Sequence, residues 1–290
     1  MLRKYIMIAD ILLLGICLAS CHKVNGRDSL GVNGETQMLS KVTSEDVTAA
    51  ANNKEQCPAT DRSTEITRKP DKPTGTVKSL NVEIGGGSME EKERKESESF
   101  YYEKLSDKIK DRINGKSYKK NCDVPYEELR YVRVLYWGFD QQTHDGELIV
   151  NQSIAEDVID IFKELYDKKY PIEQMVLVDD YDADDNASMA ADNTSSFNYR
   201  TVDSMEHLSL HSYGLAIDIN PLYNPYVRTM NGKPQVLPES GTKYADRTLN
   251  CSYYIDTNDA CYKAFTKRGF TWGGDWKNSK DYQHFQKNLE

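Results

Sequence analysis

Ser209-Leu-His211-Ser-Tyr-Gly214-Leu215-Ala-Ile217-Asp218-Ile219-Asn220 carries the chain from a loop into a strand. Leu215, Ile217 and Ile219 alternate with Ala216 and Asp218, which predicts a short strand with one apolar face and Asp218 on the other. Gly214 lets the backbone turn between His211 and that strand. A loop donor and a strand donor can then converge on one metal. Near the chain end, Trp272-Gly-Gly-Asp-Trp276 is followed by Asp281-Tyr-Gln-His284-Phe. His284 supplies a third donor from a distant segment. Two imidazoles and one carboxylate match the hydrolytic zinc pattern, with a fourth coordination position left for water.

Asp281 stands three residues before His284, where a carboxylate can act as general base and then acid. Asp275 competes for that task, although its Gly-Gly and Trp neighbours equally suit a structural turn. The chain has five histidines, so the pairing is not lost in a crowd. His22 and His144 have no obvious role, and His207 is close enough to His211 to be an alternative ligand.

Outward from these segments the chain mixes helices and strands. Tyr101, Leu105, Ile109 and Ile113 recur at helical spacing until Asn114-Gly115 stops them. Residues 129–136 (Leu-Arg-Tyr-Val-Arg-Val-Leu-Tyr) read as a strand, and Leu148 to Val150 as a second. Val158, Ile161, Phe162 and Leu165 mark one face of an amphipathic helix over 154–166. Met175 to Val178 reads as a further strand, and Tyr262 to Arg268 as a short helix ended by Gly269. No regular β-α-β alternation is visible, which favours α+β over a doubly wound sheet. The stretch from 98 to 290 is one domain's worth of chain, without an internal repeat. Asp180, Asp182 and Asp184 alternate like the start of a calcium loop. Asp185 replaces its glycine and Ala191 its closing acid, so a solvated acidic loop is expected instead.

The first residues read as a signal. Arg3 and Lys4 precede a mostly apolar run from Ile6 to Ala19, interrupted by Asp10, and then Leu18-Ala-Ser-Cys21. The run is too short for a membrane span and fits a secretory signal. The small residues before Cys21 resemble a bacterial lipobox, in which Cys21 is lipidated and tethers the chain to a membrane without a spanning helix. Residues 1–21 are thus expected to be signal, and residues 22–97, polar and without period, a disordered linker. Residues 98–290 form the working domain. The expected location is extracytoplasmic, in the cell envelope, where disulfides persist. Cys57, Cys122, Cys251 and Cys261 permit three pairings, and Cys251 with Cys261 would clip a short loop. A net charge of −9 argues against nucleic acid as a partner.

Ser209-x-His211-x-x-Gly214-x-Ala216-x-Asp218, followed by a carboxylate-x-x-His, resembles the peptidase M15 family. Trp272-Gly-Gly-Asp-Trp276, Asn220 to Tyr226 and Asn193 to Arg200 carry further likeness over roughly residues 110–287. The resemblance implies an α+β domain of the Hedgehog/D,D-peptidase-like kind, with a small antiparallel sheet and flanking helices. It implies Zn2+ held by His211, Asp218 and His284, with Asp281 as catalytic acid and base. The family usually has Glu there, and Asp is one methylene shorter. Arg200 would stabilise the oxyanion, and Ser209 would hold substrate or a ligand. The substrate implied is a peptidoglycan stem peptide, cut by a monomeric D-alanyl-D-alanine carboxypeptidase. The alternatives are an L-alanyl-D-glutamate endopeptidase and a zinc-containing lipoprotein that only binds the wall. A sugar-cleaving site would need paired carboxylates across a groove, and no convincing pair is present.

Overall fold

The computed structural model describes Cys57, residues 98–202 and residues 207–289. The lipobox reading at Cys21, and the linker reading apart from Cys57, lie outside the described residues.

Along the chain, strand β1 (Tyr101–Lys104) is followed by helix α1 (Asp107–Ile113), strands β2 (Leu129–Gly138) and β3 (Thr143–Asn151), and helix α2 (Ala155–Asp167). Strand β4 (Pro171–Ile172), helix α3 (Asp185–Ala190) and strands β5 (Ala216–Asp218), β6 (Tyr226–Met230) and β7 (Lys233–Leu237) come next. Helix α4 (Ala260–Thr266) and strands β8 (Thr271–Trp272), β9 (Lys280–Asp281) and β10 (His284–Gln286) complete the domain.

Among the described residues three small sheets result. The first runs β1-β2-β3, antiparallel, with β4 parallel to the far end of β2. The second runs β5-β10-β8 and the third β7-β6-β9, both antiparallel. Small antiparallel sheets with helices beside them make this an α+β fold.

The main core joins the first two sheets. Val132, Val134, Leu148 and Val150 pack with Val158, Ile161, Phe162 and Leu165 of α2, and with Ile217, Phe265 and Phe285. Ile217 and Ile219 enter this core while Asp218 points to the opposite side, as the alternation requires. Phe285 stacks on Phe265 with ring centroids 4.3 Å apart, so β10 is pinned by an aromatic pair one residue after His284.

Two expectations are corrected and one open pairing is resolved. The helical spacing from Tyr101 does not hold at its start: Tyr101 lies in edge strand β1, and the helix begins at Asp107, capped by the Ser106 hydroxyl. Tyr101 and Leu105 fall in helical register with Ile109, but β1 pairs with β2 instead. Met175 to Val178 is not a strand. The Asn193 side chain takes the Val176 backbone, accepting from its N–H at 2.9 Å and donating to its carbonyl at 3.1 Å. Finally, Cys251 bonds to Cys57, 194 residues earlier, and not to Cys261, which is a buried free thiol in the main core.

The acidic run is also more committed than a solvated loop. Asp180 pairs with Arg112, Asp182 with Lys116, and Asp184 caps α3. Arg112 reaches on to buried Glu147, 2.6 Å away. Burial alone would raise the Glu147 carboxyl, but Arg112 and the Tyr131 hydroxyl hold it below its ordinary value.

Candidate metal centre

Sheet pairing brings the donors together. In the antiparallel β5–β10 pair, His284 is the direct partner of Asp218, and Phe285 of Ile217. His211 lies in the 3-10 turn Leu210–Tyr213 just ahead of β5. The Ser209 hydroxyl caps this turn by accepting from the His211 N–H at 3.3 Å, and Gly214 ends it at φ +67°. A Cβ on Gly214 would lie 2.6 Å from the Asn151 nitrogen. The glycine therefore serves both the left-handed turn and the close approach to β3.

One atom from each of His211, Asp218 and His284 falls within 4.8 Å of the others, and all three residues are buried. His211 Nε2 is 3.2 Å from His284 Nδ1 and 3.3 Å from Asp218 Oδ2, and His284 Nδ1 is 3.0 Å from Asp218 Oδ1. The remaining ring nitrogens are backed. His211 Nδ1 is 2.7 Å from the Ser196 carbonyl, which can only accept, so Nδ1 carries the proton and Nε2 presents a lone pair. His284 Nε2 is likewise 2.9 Å from Gln286 Oε1, which leaves Nδ1 as the inward donor. Two lone pairs and a carboxylate aimed at one point fit a divalent cation, and the two-nitrogen, one-oxygen set with a backed second shell fits zinc.

The electrostatics follow from burial and proximity. Burial works to raise the Asp218 carboxyl, but His211 and His284 beside it hold it well below the usual carboxylate range. Burial opposes protonation of His284, and the Asp218 carboxylate outweighs it, so His284 is raised. Asp281 is pushed up to about 6, chiefly by burial, against the pull of the nearby His284. Its Oδ1 is buried and has no hydrogen-bond partner among the described residues.

Asp281, Arg200, Ser209 and all three donors line one cleft of about 530 Å³. His207 also reaches its wall, but it is exposed and outside the donor cluster. Asp275 is exposed and borders a separate hollow with Tyr262 and Trp272. The Arg200 backbone is locked to the His211 turn through Ser212 Oγ, at 2.8 and 2.7 Å, and its guanidinium pairs with Asp185. Ser209 spends its hydroxyl on the cap.

Several cleft residues were not among those singled out from sequence: Arg228, Gln283 and Gln286; Trp276, known there only as part of a motif, joins them. Gln286 sits two residues from His284 on one strand, so the two-residue period of a strand would have placed it on the same face. Trp276 lies with its ring 5.4 Å from that of His284.

Two imidazoles and a carboxylate beside a half-buried second carboxylate are the equipment of a hydrolase that works on a polarised carbonyl. Residues 203–287 match the family model described as D-alanyl-D-alanine carboxypeptidase, which supports a peptidase of the M15 kind, a peptidoglycan-related family that is generally zinc-dependent. The matched segment holds His211, Asp218, Asp281 and His284, while Arg200 precedes it. Neither the curated proteins nor the solved structures gave a match.

Proposed function

We propose that the chain is a zinc-dependent peptidase of peptidoglycan stem peptides, with D-alanyl-D-alanine carboxypeptidase as its specificity. The observation that carries this reading is the convergence of His211, Asp218, His284 and Asp281 in one cleft. His211 Nε2, His284 Nδ1 and an Asp218 oxygen would hold the ion. Zinc bound there would polarise the scissile carbonyl and lower the pKa of water. Asp281, raised by burial, takes a proton from the attacking water and returns it to the leaving amine. Arg200, kept at the cleft wall by Asp185, offers positive charge to the developing oxyanion.

The preference for a carboxypeptidase rests on the description of the matched family model and on charge. Arg200 and Arg228 put two guanidinium groups on the cleft wall, which suits a substrate that ends in a free carboxylate. The chain is proposed to act as a monomer at the cell envelope, anchored through lipid on Cys21.

The test is to incubate the purified domain with muropeptides, with and without a chelator, and to weigh the products. Chelator-sensitive release of D-alanine supports the proposal. Cleavage between L-alanine and D-glutamate would transfer it to the endopeptidase reading, and no product from any stem peptide would reject an enzyme.

A further inference from the structure

The Trp272-Gly273-Gly274 motif contributes no donor and no acid, yet it lies directly behind the segment that carries Asp281. A Cβ on Gly273 would stand 2.6 Å from the Asp281 carbonyl oxygen and 2.7 Å from the Asp281 Cβ. Real side chains do not approach so closely; ordinary contact begins near 3.4 Å. The atoms it would meet are backbone and the root of the side chain, not a flexible tip that could swing away.

The segment is held from other sides as well. The Trp272 indole N–H donates to the Tyr282 carbonyl at 2.8 Å, and Lys280 Nζ donates to the Gly274 carbonyl at 2.9 Å. Gly274 packs under the Trp272 ring, where a Cβ would come within 2.3 Å of the indole. Across β9, Asp281 pairs with Tyr226 and Lys280 with Val227. The strand is thus seated between the glycines and β6, and it cannot yield to an added methyl group while keeping both sets of contacts.

We infer that Gly273 is a positioning residue for Asp281: its bare Cα sets where the strand runs and so where the carboxylate stands in the cleft. The magnitudes agree with this. Relieving the contact with an alanine Cβ requires a shift of about 1 Å. That is comparable to the reach of the one methylene, about 1.5 Å of bond, by which Asp differs from the longer acid usual at this place. A misplacement of this size at a reacting group can cost about 100-fold in rate. This inference rests on Asp281 being the base of the proposed peptidase.

The test uses Gly273→Ala in the full domain. We expect kcat to fall about 100-fold, KM to stay within about twofold, and zinc affinity to stay within about threefold. The crystal structure of the variant should have the Asp281 Cα displaced by several tenths of an ångström or more, with His211, Asp218 and His284 in place. A kcat within threefold of the parent, an unmoved Asp281, or loss of zinc in step with kcat would each overturn the inference. Should Gly273→Ala not fold, Trp272→Phe releases the same strand at Tyr282 and keeps an aromatic ring in the core. It should lower kcat at least tenfold at unchanged zinc affinity, and an unchanged kcat would overturn the inference. If the parent domain cleaves no stem peptide, the proposed function fails on its own, and the position of Asp281 in the variant crystal still decides the claim about Gly273.

Discussion

His284 and Asp218 are backbone partners across β10 and β5, and their side chains meet at Nδ1 and Oδ1, 3.0 Å apart, although 66 residues separate them in the chain. The donors are therefore assembled by strand pairing, with Ser196 and Gln286 fixing the two imidazoles from behind. His211→Ala removes one of three donors and leaves the pairing intact. The parent domain should bind about one zinc per chain, and the variant should retain almost none after dialysis, read by elemental analysis. The parent should also melt higher with zinc than after chelation, by about 2.7 kcal/mol at free zinc 100-fold above Kd, and the variant should lose that difference.

Asp281→Asn should keep the metal and lose turnover by at least 100-fold. In the parent, kcat/KM should fall on the acid side as Asp281 is protonated, with a limb at or below about 6, since a bound cation favours the carboxylate.

Asp281 also makes a prediction for stability. Its folded value, about 6, lies above the ordinary carboxylate value. The folded state therefore holds the proton more tightly, and stability is lost as pH rises from about 4 to about 6. The metal-free Asp281→Asn domain should be more stable than the parent at pH 7.5, by about 3 kcal/mol at most, with the gap closing below pH 4. Denaturant titration at both pH values checks this, and equal stability at pH 7.5 would count against a costly half-buried carboxylate.

Gly214→Ala forces a side chain into φ +67° and against the Asn151 backbone. The conformation alone costs about 1–2 kcal/mol, and the clash adds to it. Because the same glycine ends the turn that carries His211, zinc affinity should weaken with stability, which calorimetry and thermal melts can follow together.

Arg228 lines the cleft, and its Nε donates to Gln235 Oε1 at 2.7 Å. Arg228→Gln should raise KM about tenfold or more for a stem peptide with a free terminal carboxylate, the range expected for a charged hydrogen bond. The same peptide with its terminus amidated should be little affected. An equal effect on both would assign Arg228 to bracing the hairpin.

The cluster that could hold a metal was partly legible in the sequence, since alternation placed Asp218 opposite Ile217 and Gly214 marked the turn after His211, while His284 entered through the carboxylate-x-x-His resemblance. What shapes the site from behind was not legible. The Gly273 contact with Asp281 joins two loops whose meeting no residue spacing announces. Tyr101 shared the helical register of Ile109 by coincidence, and only the β1–β2 pairing separates them. Asn193 occupies the Val176 backbone with a side chain, which hydrophobic periodicity cannot register. The partner of Cys251 was equally hidden, since Cys57 lies in a stretch whose composition promised no contact with the domain at all.

That last bond changes the arithmetic of reach. With lipid proposed at Cys21, the leash to the first covalent attachment on the domain is about 36 residues, or about 125 Å when fully drawn out. Residues 58–97 drop out of the leash and become part of a closed ring of chain. Breaking the Cys57–Cys251 bond would return them, lengthening the leash to about 76 residues and roughly doubling the radius of wall the cleft can sweep from one anchor point. With that anchor, a single cysteine pair, one member of which lies between Asp218 and His284 in the chain, would set the radius over which the cleft can work.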